Sequence, residues 1–434
     1  MGKKWRRFCL SLALLGLLAG CAPAAPAGPA GRPSMTVWLR TSFTPLADEL
    51  QKRYVLEWAN AKGVEVIIVQ DSVTVLEPQF NAGLETKNLP DVLEWASPEW
   101  APKLQRLGLA LDLTDVVTKM KARGGGLYDS AITAVTQDSK QFAAPTYGST
   151  EVFYVRKDLL DAKGLQPPDS WEDVVKVAKA TTDTGKVWGW GAQIGTASYD
   201  SEYALLAMFA SYGASPFAAD GKTPNLNNDG AKQALAVIKD AWDAGAIPQD
   251  VLTWDDGGNN RAYLTKAVAM TQNTGSILAA YRKDDPDLTK NSVVIRVPRG
   301  PKGRVLINPV YGFMAANTSK YPDLSRDLVD YLADVERQGK IMEAAGANYL
   351  SMYKDLAKRP MWEDPQNQLF ISQLPDTHAV GYPGPTTEWA LEAWRTHTMA
   401  ELVSRVIVEK RAPEDALKEA ETKVTGIYER FNRR

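Results

Sequence analysis

Trp95, Tyr147, Tyr311 and Trp389 each stand among planar polar or hydroxyl side chains, and that combination suits a neutral polyol. The C–H bonds of a sugar lie against a ring face, while Asn, Asp and Arg exchange hydrogen bonds with its hydroxyls. Trp95 and Tyr147 are the first stacking candidates, with Tyr311 and Trp389 behind them. The same rings serve equally well as core, because 13 Trp and 16 Tyr are more than one site employs.

Polar candidates come from the residues that follow each predicted strand, since ligands of open α/β sheets lie beyond the carboxyl ends of the strands. After "MTVW", which ends on Trp38, come Arg40, Thr41 and Ser42; after "DVL" come Glu94, Ser97 and Glu99. Ser149 and Thr150 follow Tyr147, while Gln272, Asn273, Thr274 and Ser276 follow "AVAM". The loop "NPVYGF" presents Asn308, Tyr311 and Gly312. Tyr199 and Asp200 follow "WGWGAQIG", and Trp254 opens the loop "WDDGGNN"; a helix cap and a surface turn account for these two stretches as well.

Catalytic chemistry fits poorly. A glycosidase needs two carboxylates several ångströms apart, and the adjacent Asp255 and Asp256 would point apart in an extended loop. The two histidines, His378 and His397, come without a Gly-x-Ser-x-Gly elbow, and so few imidazoles argue against zinc. No catalytic residue, cofactor or metal is therefore expected. Tyr199 and Tyr203, a helical turn apart, leave a ferric-ion receptor open.

The start of the chain reads as an address. Lys3, Lys4, Arg6 and Arg7 precede an apolar run from Phe8 to Leu18, the order of an export signal and about half the length of a membrane span. Leu18-Ala19-Gly20-Cys21 resembles the bacterial lipobox, which implies cleavage after residue 20 and acylation of Cys21 into a lipid bilayer. The tract "APAAPAGPAGRPS" that follows, to residue 34, reads as a solvated tether. Cleavage removes Cys9, so the exported domain carries no disulfide. It also leaves 46 basic against 52 acidic side chains, a balance that disfavours nucleic acid.

These residues need a scaffold, and the periodicities supply one of α/β class. "MTVWLR", a helix over "ADELQKRYVLEWANAKG" and the β-branched run "VEVIIVQD" form a strand–helix–strand unit, its second strand apolar on both faces as in a buried parallel sheet. "LPDVLEWAS" is a third strand. Further on, "EVFYVRKDLL" and "NSVVIRVP" read as strands, and "PPDSWEDVVKVAKATT" as a helix capped by Asp169 or Ser170. "DGAKQALAVIKDAWDAG", "SRDLVDYLADVERQGKIMEAAG" and "PEDALKEAETKVTGIYERF" each read as a single helix.

Three segments together resemble the family 1 extracellular solute-binding proteins, the receptors of ABC importers that include the maltose-binding proteins. They are "APTYGSTEVFYVRKDLLDAKGLQPPDSWEDVVKVAKA", "YLTKAVAMTQNTGSI" and "APEDALKEAETKV". The resemblance implies a periplasmic-binding-protein-like fold, two α/β lobes joined by a hinge with solute held between them. It further implies a monomer that closes on a carbohydrate-like solute and hands it to a permease, anchored outside the cell or in the periplasm. A glycerophosphate, another polyol or ferric ion are the alternative cargoes. The expected lobes are residues 35–146 plus 292–336 and residues 147–291 plus 337–434. Ser276 stands just after a glycine where many carbohydrate-binding relatives carry an aromatic ring, so the resemblance alone names no sugar.

Overall fold

The computed structural model describes residues 32–42, 44–95, 99–137 and 139–433. The export signal, Cys21, the tether up to residue 31 and Ser97 lie outside the described residues. Ser34 already pairs with Glu65, so the folded domain starts inside the stretch read as tether.

Two separate sheets organise the chain. The first has six strands in the order Leu350–Ser351, Ala144–Gly148, Val310–Ala315, Val92–Glu94, Ser34–Arg40, Glu65–Asp71. Its first three strands in sequence run parallel, and Val310–Ala315 is antiparallel to both its neighbours. The second has four strands in the order Ser292–Ile295, Val152–Arg156, Val268–Asn273, Trp188–Gly191. Helices cover both sheets, giving the two-lobe α/β fold of the periplasmic binding proteins.

Only Ser149, Thr150 and Glu151 separate Ala144–Gly148 in one sheet from Val152–Arg156 in the other, and every residue of both strands is buried. Alternation along the second of these strands sends Phe153 and Val155 into one core and Val152 and Tyr154 into another. The crossing is therefore clamped on both sides by packed side chains.

Strand pairing moves the expected lobe division. Ser292–Ile295, assigned in sequence to the first lobe, pairs antiparallel with Arg156–Phe153 in the second sheet. Leu350–Ser351, assigned to the second lobe, pairs with Gly148 and Tyr147 at the edge of the first. Ladder hydrogen bonds decide membership here, and strands of four and two residues carry too little periodicity to announce a partner.

Two local readings also change. Glu65–Asp71, read as apolar on both faces and buried, is the outer strand of its sheet and leaves Ile67 60% exposed. The single helix expected over 325–346 is two, Pro322–Leu332 and Val335–Ala345. Asp334 divides them by accepting hydrogen bonds from the backbone N–H groups of Glu336 and Arg337, an N-cap that starts a new axis.

Elsewhere the caps act as read. Ser170 accepts from the Asp173 N–H while the Asp173 carboxylate accepts from the Ser170 N–H, a capping box that starts Trp171–Thr181. The other cap candidate, Asp169, instead pairs with Arg299 and Arg304. Pro413–Asn432 buries Leu417, Ala420, Val424 and Ile427, and no helix among the described residues is long and apolar enough to cross a membrane.

Candidate functional site

Where the chain crosses between sheets, a cavity opens, lined from both lobes. The first lobe contributes Arg40, Ser42, Tyr147, Tyr311 and Tyr349, and the second contributes Asp200, Tyr203, Asp256, Asn260 and Asn273. Ser149 and Glu151 of the crossing itself also line it.

The first-lobe wall is a stack of rings on a buried carboxylate. Tyr147 lies 3.8 Å from Tyr349, centroid to centroid at 16°, and 5.2 Å from Tyr311 at 29°. The Arg40 guanidinium sits 4.5 Å from the Tyr311 ring centroid, a cation–π arrangement, with Nη1 3.5 Å from the Tyr147 hydroxyl. Below them Glu94, 1% exposed, accepts from the Tyr147 hydroxyl at 2.6 Å, the Arg40 backbone N–H at 2.7 Å and Gln51 Nε2 at 3.3 Å. Burial raises the Glu94 pKa despite these donors. Parallel strands place Arg40 and Glu94 here because both residues end their strands on the same edge.

The second-lobe wall is built on the start of helix Tyr199–Ser211. Asp256 Oδ1 accepts from the Ser198 hydroxyl at 2.6 Å and the Tyr199 N–H at 2.8 Å, a carboxylate at the positive end of the helix dipole. Asp200, the second helical residue, accepts from Gln193 Nε2 at 3.4 Å. Burial, then the neighbouring Asp256 and Glu151, hold the Asp200 carboxyl well above the usual carboxylate range. Glu151 accepts from Gln272, and burial pushes it up to about 7.

A relay of amides and hydroxyls closes the floor. Asn260 donates to Ser276 Oγ at 2.9 Å, and Asn273 donates to Asn260 Oδ1 at 2.5 Å. Thr274 Oγ1 donates to Asn348 Oδ1 at 2.7 Å, and Asn348 Nδ2 donates to the Ser42 carbonyl at 2.9 Å, joining the lobes. Gly275 permits that approach: a Cβ there would lie 2.2 Å from the Ala347 carbonyl carbon.

Of the residues singled out from sequence, Arg40, Ser42, Tyr147, Ser149, Asp200, Asn273, Thr274, Ser276, Asn308 and Tyr311 line this cavity. Trp38, Thr41, Trp95, Glu99, Tyr199, Trp254, Trp389 and Gly312 are not among its lining residues. Trp38 and Trp95 are buried with Leu76, Phe80 and Trp100 in a separate core, because their strand positions face the helices. Glu99 pairs with Lys103 at 2.9 Å and Arg395 at 3.7 Å, and Thr41 is held by its N–H on the Asp71 carbonyl. Tyr199 stacks on Trp394 at 4.5 Å; Trp254 donates to Asp250 at 3.1 Å; Trp389 donates to the Gly221 carbonyl. Gly312 serves packing, since a Cβ there would lie 1.9 Å from the Ala144 carbonyl oxygen.

Glu151, Asn260, Asn348 and Tyr349 escaped the sequence reading. Glu151 was reachable by following the crossing one residue past Thr150. Asn348 and Tyr349 precede a two-residue strand and carried no strand signal.

Comparison with known proteins agrees with this geometry. The model of the bacterial extracellular solute-binding protein family matches residues 40–339, and the chain belongs to that family. A binding protein of Brucella abortus strain 2308 is 24% identical over 311 residues, covering 70% of this chain and 72% of its own length. An ABC transporter solute-binding protein of Thermotoga lettingae, bound to α-D-tagatose, superposes with a TM-score of 0.78 at 17% identity. That superposition covers 91% of this chain and 100% of the other. A sugar transporter protein of Arthrobacter chlorophenolicus with bound laminaribiose gives 0.78 at 17% identity, over 91% and 99% of the two chains. These are solute-binding proteins and not enzymes.

Proposed function

We propose that this chain is the receptor of an ABC importer, capturing a carbohydrate-like solute between its lobes and delivering it to a membrane permease. One observation carries the reading: a cavity between two lobes whose walls are stacked tyrosine faces on one side and carboxylates and amides on the other. Rings take the apolar faces of a sugar and the planar polar groups take its hydroxyls, which is why this lining suits a polyol better than a hydrophobic solute. The tagatose and laminaribiose bound by the two structural neighbours support the same class of cargo.

Solute touching both walls favours the closed arrangement by as much as its affinity for that arrangement exceeds its affinity for the open one. The receptor works as a monomer, and acylated Cys21 with its tether keeps it at the membrane beside the permease. Titration calorimetry of the purified chain against mono- and disaccharides and polyols tests this, with Tyr147→Ala and Tyr311→Ala as companions. At least one carbohydrate should bind in the micromolar range or tighter, and each variant should weaken it tenfold or more. A carbohydrate that binds equally well to both variants would place the site elsewhere; no carbohydrate binding would overturn the reading.

A further inference from the structure

We propose, resting on the carbohydrate reading above, that the natural solute carries a protonated amine: an amino sugar or aminated polyol, with its ammonium facing Glu151, Asp200 and Asp256. These three carboxylates line the cavity, and among the described residues the only cationic side chain that lines it with them is Arg40. Arg40 is already engaged, lying over the Tyr311 ring, beside the Tyr147 hydroxyl and next to Glu94 beneath the wall.

Among the described residues none of the three forms an ion pair; the Arg40 charge acts on Asp200 only at a distance. Glu151, 4% exposed, is met by the Gln272 amide; Asp200 by the Gln193 amide; Asp256 by a hydroxyl and backbone N–H groups. Negative charge held in a buried or half-buried wall and answered only by neutral donors is unfavourable. It is relieved by a proton or by a cation that arrives with the ligand, and the raised pKa of Asp200 and of Glu151 reflects that deficit.

A metal ion does not fit the need. Among the described residues no three carboxylate, histidine or cysteine groups converge as an inner sphere requires. Asn308 supplies an independent sign of an oxygen-rich partner: it is 6% exposed, its Oδ1 accepts from Ser149, and its Nδ2 in the cavity wall has no partner. An unanswered donor and carboxylates without a cationic partner together call for a molecule bearing both an acceptor oxygen and an ammonium.

Matched pairs decide the matter by calorimetry at pH 7 on the full chain: D-glucosamine against D-glucose, D-galactosamine against D-galactose, and the deacetylated chitobiose disaccharide against cellobiose. At least one amine should bind tenfold or more tightly than its hydroxyl twin. Asp200→Asn and Glu151→Gln should each shrink that ratio severalfold; were one variant not to fold, the other and the wild-type ratio still decide. Neutral sugars binding as well as or better than their amines would overturn the amine proposal and leave the carbohydrate reading standing. No binding by either set would overturn both.

Discussion

The Tyr147 hydroxyl donates to Glu94 Oε1 at 2.6 Å across the middle of the first sheet, tying the end of one strand to a ring of another. That bond fixes the plane on which Tyr349 and Tyr311 stack.

Tyr147→Phe keeps the rings and removes the donor, leaving Glu94 with two of its three partners. The expected loss is about 1–2 kcal/mol in urea denaturation. Solute affinity should fall less than in Tyr147→Ala, because the stacking face survives. A Phe variant as damaged as the Ala variant would mean that the hydroxyl, and not the face, holds the site.

Glu202 lies fully buried in helix Tyr199–Ser211, accepting from the Met399 and Ala400 N–H groups at the start of another helix. Burial pushes it up to about 8, and Glu151 up to about 7. Both folded values stand above that of the unfolded chain, so the folded protein holds more protons between roughly pH 4.5 and 8. The stability of the unliganded protein should therefore fall as pH rises through that window, by roughly 1.4 kcal/mol per pH unit for each proton taken up. Glu202→Gln should flatten the slope; a stability that rises from pH 5 to 8 would contradict it.

Gly312→Ala places a methyl against the Ala144 carbonyl oxygen, a backbone atom with no rotamer to yield. We expect a loss of about 1–3 kcal/mol or more as the two strands separate, seen as a lower melting temperature. An unchanged melting temperature would show that the strand bulge between Tyr311 and Gly312 absorbs the strain.

Two ion pairs join elements of the two lobes, Arg395 to Glu99 at 3.7 Å and Arg106 to Glu388. Both arginines are about 40% exposed and Glu388 is partly exposed, so the Arg106 pair contributes on the order of 0–1 kcal/mol, while the buried Glu99 makes the Arg395 pair the stronger of the two. Arg106→Ala with Arg395→Ala should leave global stability nearly unchanged while raising solute dissociation rates severalfold in stopped-flow fluorescence. A drop in unfolding free energy beyond about 2 kcal/mol would assign these residues to holding the lobes together rather than to closing them.

Elements with long periodic signals were legible in the sequence: the helix containing Tyr54 and Trp58, the Ser170 cap and the C-terminal helix. What failed depended on pairing across distance. Glu65–Asp71 reads the same whether it is central or at an edge, since the apolar run carries no record of its neighbours. Trp95 and Tyr147 looked alike as aromatic residues near strand ends, yet one faces the helices and the other the cavity, a matter of single-residue register. Asn348 and Tyr349 reach the site only because helix Ser276–Asp284 packs on the turn that holds them, and no local pattern encodes that contact.

Ser149 and Glu151 return as a mechanical matter. The three-residue passage joins a strand of one sheet to a strand of the other, and two of its side chains line the cavity. On the proposed reading, recognition and pivot share the same few atoms, so a substitution that retunes the cargo there would also reset the rest angle of the molecule.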